Sequence, residues 1–141
     1  MIGGIIMAEE KVEELLSKMI NESMGMLNII TFAWRDGIPV AYVAPSSAEA
    51  EFMTVASAAA LGSLDSLSDV MGSKLKRIDV EFENGEHIII SVLNGSFIAV
   101  STAPKPNLGF IHLILRKYER LIKKISGVGH VNPKEVSKNP G

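Results

Sequence analysis

The stretch FENGEHIIISVLNGSFIAVS, residues 82–101, limits the folds open to this chain more than any other part of its sequence. Two Asn-Gly pairs, at 84–85 and 94–95, indicate two hairpin turns. The run between them is apolar at nearly every position, whereas a strand with one solvated face alternates apolar and polar side chains. The pattern therefore predicts a three-strand meander whose middle strand is covered on both faces.

Periodicity elsewhere in the sequence predicts three helices and two more strands. Pro39 has no backbone N–H to donate, which places the second strand at a sheet edge. Ser46 with Glu49 matches a capping box, Gly72 marks a helix end, and Asn107 is a helix N-cap. The predicted elements are helix 8–24, strands 27–34 and 38–44, helix 48–71, strands 76–82, 87–93 and 96–101, and helix 108–125.

This order, α-β-β-α-β-β-β-α, predicts an α+β fold in which helices cover both faces of a five-stranded antiparallel sheet. At 141 residues the chain is close to the common size of one domain. We assign residues 1–126 to that domain. Residues 127–141 have few apolar side chains to bury and are predicted to be a flexible tail.

Composition excludes several classes of protein. The chain has no cysteine, so disulfides and thiolate metal sites are excluded. The apolar opening MIGGIIM is shorter than a membrane span and has no basic flank, so we expect neither membrane insertion nor a signal peptide. A cytoplasmic location is the resulting prediction.

Charge is distributed unevenly along the chain. Residues 1–104 carry 6 Lys or Arg and 14 Asp or Glu, and residues 105–141 carry 8 and 2, although the net charge of the whole chain is only −2. The basic end of the last helix is typical of a solvated helix C-terminus, and attachment to a membrane or nucleic acid is the alternative. Since Tyr118 is the only aromatic residue among these cations, we expect no nucleic-acid partner.

Residue patterns that support catalysis are missing from the sequence. It contains no G-x-S-x-G nucleophile motif and no phosphate-binding loop, and its three histidines lack metal-ligand spacing. Asp65 and Asp69, one helical turn apart, form either a solvated acidic patch or a docking patch for a partner. We therefore predict no catalytic residue, no cofactor and no metal site, and a protein that is not an enzyme.

Four segments, in this order and at this spacing, are similar to the Roadblock/dynein-light-chain superfamily. They are WRDGIPVAYVA (34–44), the small-residue helix AEAEFMTVASAAALGSLDSLSDVMG (48–72), the meander KRIDVEFENGEHIIISVLNGSFIAVST (76–102) and the helix KPNLGFIHLILRKYERLIKKI (105–125). The resemblance implies that the central helix lies on one face of the sheet and the two terminal helices on the other. It also implies a homodimer in which the central helices pair and the third strands join two sheets into one.

Relatives with this architecture act as non-enzymatic partners of small Ras-like GTPases, as scaffolds or activators, or as dynein light chains, and the archaeal and bacterial kind usually act with the GTPase. The predicted function is therefore a homodimeric module that binds and regulates such a GTPase. A small-molecule sensor or a structural adaptor of the same fold is the alternative. The predicted dimer interface comprises Arg77, Ile78, Asp79, Val80 and Glu81 of the third strand, and Ala56, Ala60 and Leu64 of the central helix.

The charges of the third strand favour one register for pairing two copies. Antiparallel pairing centred on Ile78 puts Arg77 opposite Asp79 of the other copy, whereas centring on Asp79 places two aspartates face to face. For the GTPase contact we predict Thr54, Asp65 and Asp69 on the exposed side of the central helix, with Arg35 of the neighbouring turn.

Overall fold

The structure, a computed structural model, describes the backbone of residues 2–125 and the side chains of residues 10–125. The described residues form five strands and four helices, one helix more than the sequence predicted. In chain order these are α1 (Ile2–Glu22), β1 (Leu27–Trp34), β2 (Pro39–Val43), α2 (Ser47–Asp65), α3 (Ser68–Met71), β3 (Arg77–Glu81), β4 (His87–Val92), β5 (Ser96–Thr102) and α4 (Leu108–Ile125). The predicted tail, 127–141, lies outside the described residues.

The strands form one antiparallel sheet in the order β2-β1-β5-β4-β3. Helices α1 and α4 pack together on one face, and α2 crosses β1, β2 and β5 on the other. The predicted fold class and arrangement of helices are therefore confirmed. Pro39 begins β2, which is an edge strand as predicted, and β3 forms the opposite edge.

Two cores explain why the middle strand of the meander is apolar throughout. Ile89 of β4 belongs to the core beneath α1 and α4, whereas its neighbour Ile90 belongs to the core beneath α2. Strand β5 divides in the same way, with Ile98 in the first core and Phe97 in the second. Successive side chains of a strand point to opposite faces, so both faces of these strands need apolar residues.

The predicted bounds of the first helix, 8–24, are wrong at both ends. The helix begins at Ile2, because no proline interrupts the helical backbone before residue 8. It ends at Glu22, because Met24 and Gly25 both have positive φ, 54° and 84°, which a right-handed helix cannot accommodate.

The central helix, predicted as one helix over 48–71, is two helices in the structure. Helix α2 ends at Asp65, and the Leu67 N–H then bonds the Leu64 carbonyl at 3.0 Å in a tighter turn before α3 begins. The Ser66 hydroxyl donates to the Ser63 carbonyl at 2.8 Å, which competes with the regular helical pattern. The predicted end at Gly72, with φ 65°, is confirmed.

Both predicted helix caps are confirmed. The Ser46 hydroxyl oxygen accepts the Glu49 N–H at 3.2 Å at the start of α2. The Asn107 side-chain oxygen accepts the Phe110 N–H at 3.1 Å at the start of α4. These bonds satisfy N–H groups that have no partner within their helices. The Ser46 bond also marks where α2 begins on the sheet face that carries the candidate site.

Candidate interaction surface

Helix α2 is apolar on its outward side as well as its inward side. The side chains that face the sheet are Ala50, Met53, Thr54, Ser57 and Leu61. On the opposite side Phe52 is 78% exposed and Val55 is 57% exposed. A helix with apolar side chains on every side is normally covered on every side. The outward side that carries Phe52 and Val55, which we call the α2 crest, is therefore a candidate contact surface.

Thr54 does not belong to this exposed side, so the prediction that it lies on the exposed side of the central helix is wrong. Its side chain lies against the sheet at 1% exposure, and its hydroxyl donates to the Ala50 carbonyl at 2.7 Å. The sequence of α2 is rich in Ala and Ser, which give little contrast between an inner and an outer face. Periodicity therefore could not fix the rotation of this helix about its axis.

A groove separates α2 from β3 and β4, because α2 packs mainly on the other three strands. Its volume is about 470 Å³, and Val80 and Phe82 on its far wall are 39% and 46% exposed. Three polar side chains, Glu49, Ser57 and Ser101, reach it. The apolar lining includes Ile29, Phe52, Met53, Val80, Phe82 and Ile88.

Strand β3 forms the free edge of the sheet beside this groove, since β4 is its only strand partner within residues 2–125. Two of its charged side chains are held by their own chain. The Arg77 Nε donates to the Ser91 hydroxyl oxygen at 3.1 Å, and one Asp79 carboxylate oxygen lies 2.8 Å from the His87 Nδ1. These contacts leave the backbone of β3 open to a further strand.

The residues predicted for the dimer interface are all at least partly accessible in the single chain. Ala56 and Leu64 are exposed on α2, Ala60 is half-buried beside them, and β3 becomes more exposed toward its end. The half-buried and exposed members of β3 are Arg77, Ile78, Asp79, Val80 and Glu81. The outer side of α2, the groove and β3 therefore form one continuous surface, which we call the α2/β3 surface.

The other three residues predicted for GTPase contact, Arg35, Asp65 and Asp69, lie around the far end of α2. Asp65 and Arg35 meet in an ion pair that connects α2 to the turn between β1 and β2. Asp69 is exposed on α3, beside side chains that sequence reasoning did not select. Those side chains, which the turn at Ser66 brings to the surface, are Leu67 at 49% exposure, Val70 at 80% and Met71 at 73%.

Other kinds of site have less support among the described residues. The described side chains contain no cluster of three His, Asp or Glu able to hold a metal ion. Among the described helices, none combines the length and hydrophobicity needed to cross a membrane. The two groups with a shifted pKa, Glu22 and Tyr118, lie on the opposite face of the sheet. Burial and a hydrogen bond to Glu22 raise the pKa of Tyr118 to about 12.

Solved structures provide the comparison that decides the fold. A Roadblock/LC7 domain from Streptomyces avermitilis superposes with a TM-score of 0.76 at 12% identity, over 82% of this chain and 98% of that one. Myxococcus xanthus MglB gives 0.76 at 12% identity, over 88% and 95%. The gliding protein MglB from Thermus thermophilus gives 0.75 at 13% identity, over 85% and 91%. The chain has the Roadblock/LC7 fold.

The fold that the sequence resemblance implied is thus confirmed by structure. Neither a scan against family models nor a search of curated protein sequences gave a match. In the Roadblock/LC7 fold of this chain, the α2/β3 surface lies on the face opposite α1 and α4. Anything that docks on α2 therefore leaves the terminal helices accessible.

Proposed function

We propose that this chain is a non-catalytic homodimeric module that binds a small Ras-like GTPase and regulates it. The observation that carries the proposal is the α2/β3 surface, where an apolar helix crest and an apolar groove lie beside an open strand edge. Large exposed apolar patches of this kind mark protein interaction sites. The assignment of a GTPase as partner is supported by the Roadblock resemblance.

A second copy is the occupant that suits both the groove and the strand. The exposed parts of Phe52, Val55, Val80 and Phe82 in two copies would contribute roughly 9 kcal/mol if buried. Association costs on the order of 4–15 kcal/mol in lost freedom of motion. Apolar burial alone therefore comes close to balance, and pairing of the two β3 edges supplies the remaining stabilisation.

The register centred on Ile78 stays a prediction for this pairing. Arg77 and Asp79 already contact Ser91 and His87 of their own chain, so a cross-copy pair must share them with these partners. An Asp79-centred register would still place two carboxylates together at the two-fold axis, which is unfavourable.

The GTPase would contact the acidic end of the central helix, at the surface formed by Asp65, Asp69, Val70 and Met71. An apolar centre with a polar rim is typical of a protein interface. The module would act by positioning: contact that is tighter for one arrangement of the GTPase switch loops shifts the population toward that arrangement. Arg35 is held by Asp65, and its role would be to fix this end of α2 rather than to reach a nucleotide.

The test uses the small Ras-like GTPase encoded beside this chain or retained by it from native-cell lysate. We expect micromolar binding and a changed rate of phosphate release when the two are mixed. Asp69→Lys should weaken binding at least about tenfold, since it reverses an exposed charge at the proposed contact. Glu83→Lys, an equal charge change on the turn after β3, is the control and should bind as the unsubstituted chain does.

Absence of binding at micromolar concentrations would remove the GTPase from the proposal without touching the dimer. If both substitutions weaken binding equally, the GTPase stays as partner but the proposed contact at Asp69 is overturned.

The groove supports a second candidate function, that of a small-molecule sensor. Its volume of about 470 Å³ and its apolar lining with a few polar groups match ligand sites of ordinary size. Native mass spectrometry of the purified protein separates the two functions. A small molecule retained by a single chain favours the sensor, whereas a ligand-free dimer favours the interaction module.

A further inference from the structure

The face of the sheet opposite the α2/β3 surface carries a second pattern of charge. Helix α4 exposes a stripe of five cations that spans an arc of about 120° at 3.6 residues per turn. Glu119 lies outside that arc, 3.8 Å from the Arg77 guanidinium. The stripe consists of Arg116, Lys117, Arg120, Lys123 and Lys124.

Lys117 is the member of the stripe that has an ion-pair partner within residues 10–125. Its Nζ lies 2.8 Å from a Glu22 carboxylate oxygen at the end of α1. The neighbouring helix α1 exposes three acidic side chains, Glu10, Glu13 and Glu14, and two lysines, Lys11 and Lys18, on its outward side. We call the three glutamates the acidic crest. A basic stripe and an acidic crest therefore lie side by side on the same face.

The contact between Lys117 and Glu22 shows how the basic stripe on α4 and the acidic crest on α1 are aligned along the helix axes. Helix α1 leads into β1 and α4 follows β5, and because these strands are antiparallel the two helices are antiparallel as well. At 1.5 Å per residue, Glu14 lies about 12 Å from Glu22 along α1, and Lys124 lies about 10 Å from Lys117 along α4, in the same direction.

We propose that the face formed by α1 and α4 is a docking surface for a second copy of this chain. A two-fold axis parallel to the helices and midway between them lays each α4 over the α1 of the other copy. Lys123 and Lys124 then meet Glu13 and Glu14 of the second copy, and the same contacts recur by symmetry. This interface is separate from the α2/β3 surface and does not depend on the proposed function.

The short distance between the basic stripe and the acidic crest favours a second copy over a membrane or a nucleic acid. Packed helices lie 8–10 Å apart, so the acidic crest is about one Debye length from the stripe at physiological salt. A flat anionic membrane or a DNA duplex would touch both helices and be repelled by the crest. A second copy presents the opposite charge to Lys123 and Lys124 and to Glu13 and Glu14.

The test measures the mass of the full chain by sedimentation at low and high ionic strength, about 30 mM and 500 mM salt, where screening differs strongly. At low salt we expect larger species than at high salt. Lys123→Glu/Lys124→Glu and Glu13→Lys/Glu14→Lys should each weaken this association at least about tenfold, since each places like charges opposite one another.

An equimolar mixture of the two double variants should associate again, because positions 123 and 124 of each variant meet opposite charges at positions 13 and 14 of the other. Glu83→Lys/Glu86→Lys makes the same change in net charge as Glu13→Lys/Glu14→Lys, but in the turn between β3 and β4, and should associate like the unsubstituted chain. Circular dichroism of each variant checks that it is folded.

The proposal is overturned if mass does not increase at low salt, or if the mixture of variants fails to associate. It is also overturned if the unsubstituted chain binds anionic phospholipid vesicles and Lys123→Glu/Lys124→Glu abolishes that binding without any change in mass. In that case the stripe serves a membrane surface. A loss of the dimer through the α2/β3 surface would not affect any of these outcomes.

Discussion

Tyr118 shows how one residue couples the packing of the terminal helices to pH. Its ring is 1% exposed between α1 and the sheet, and Lys117 lies 5.2 Å from the ring centroid. Burial, together with a hydrogen bond to Glu22, raises the pKa of the hydroxyl to about 12. The Glu22 pKa is lowered, chiefly by the hydrogen bond from Lys117.

A change in stability at alkaline pH follows from the raised pKa of Tyr118. The unfolded chain loses the proton near pH 10, while the folded chain keeps it to about pH 12. The free energy of unfolding should therefore fall by on the order of 2 kcal/mol as pH rises through this window. Urea unfolding at several pH values checks this against Tyr118→Phe, which should lack that part of the decline. An equal decline in both proteins would contradict the assignment, since lysine titration is common to both.

At the scale of single elements, the turn between β3 and β4 depends on one glycine. Gly85 has φ 90°, and a Cβ there would lie 3.2 Å from the Lys105 backbone nitrogen. The Gly85 carbonyl also accepts the Lys105 N–H at 2.8 Å, which joins this turn to the loop before α4. The Asn-Gly signal in the sequence reflects this need for positive φ.

Replacing Gly85 with alanine should lower the free energy of unfolding by about 1–2 kcal/mol, because the side chain is strained at positive φ and meets backbone. Gly62→Ala is the matched control. It lies in α2 with nothing within 4 Å of an added Cβ, so the same substitution should stabilise the single chain by about 0.5–1 kcal/mol. Denaturant unfolding of both variants measures the difference, and a shared sign would contradict this account.

The elements that sequence predicted well are those with strong local signals. The meander follows from two Asn-Gly pairs, and the start of α4 follows from Asn107. The face of α2 did not follow, since an Ala- and Ser-rich helix has little amphipathic contrast and Thr54 was placed on the wrong side. The exposed Val70 and Met71 also could not be predicted, because their position depends on the break at Ser66.

At the scale of the whole molecule, a layer of helices on each side of the sheet gives two independent outward faces. One carries the apolar α2 crest and the other the charged α1 and α4 helices. Exposed apolar residues on the two faces can therefore be changed separately to test which face forms the proposed dimer.

Val55→Glu should convert the proposed dimer to single chains, because it introduces a charge into the α2 crest where the side chain is 57% exposed and has little role within its own chain. Leu113→Glu is the control, a similar change at 64% exposure on α4. Light scattering in high salt should give half the mass for the first variant and the full mass for the second. A dimer that survives Val55→Glu would move the interface away from α2.

The two edges of the sheet differ in a way that limits how many chains can join into one sheet. At β2 the first residue is Pro39, which offers no N–H, and a bulge between Phe32 and Ala33 irregularly offsets the pairing of β1 with β2. Both features discourage a further strand at that edge. If two chains join through β3, each outer end of the combined sheet is such an edge. Strand addition then terminates at two chains, so pairing of strand edges cannot extend the sheet into a fibre.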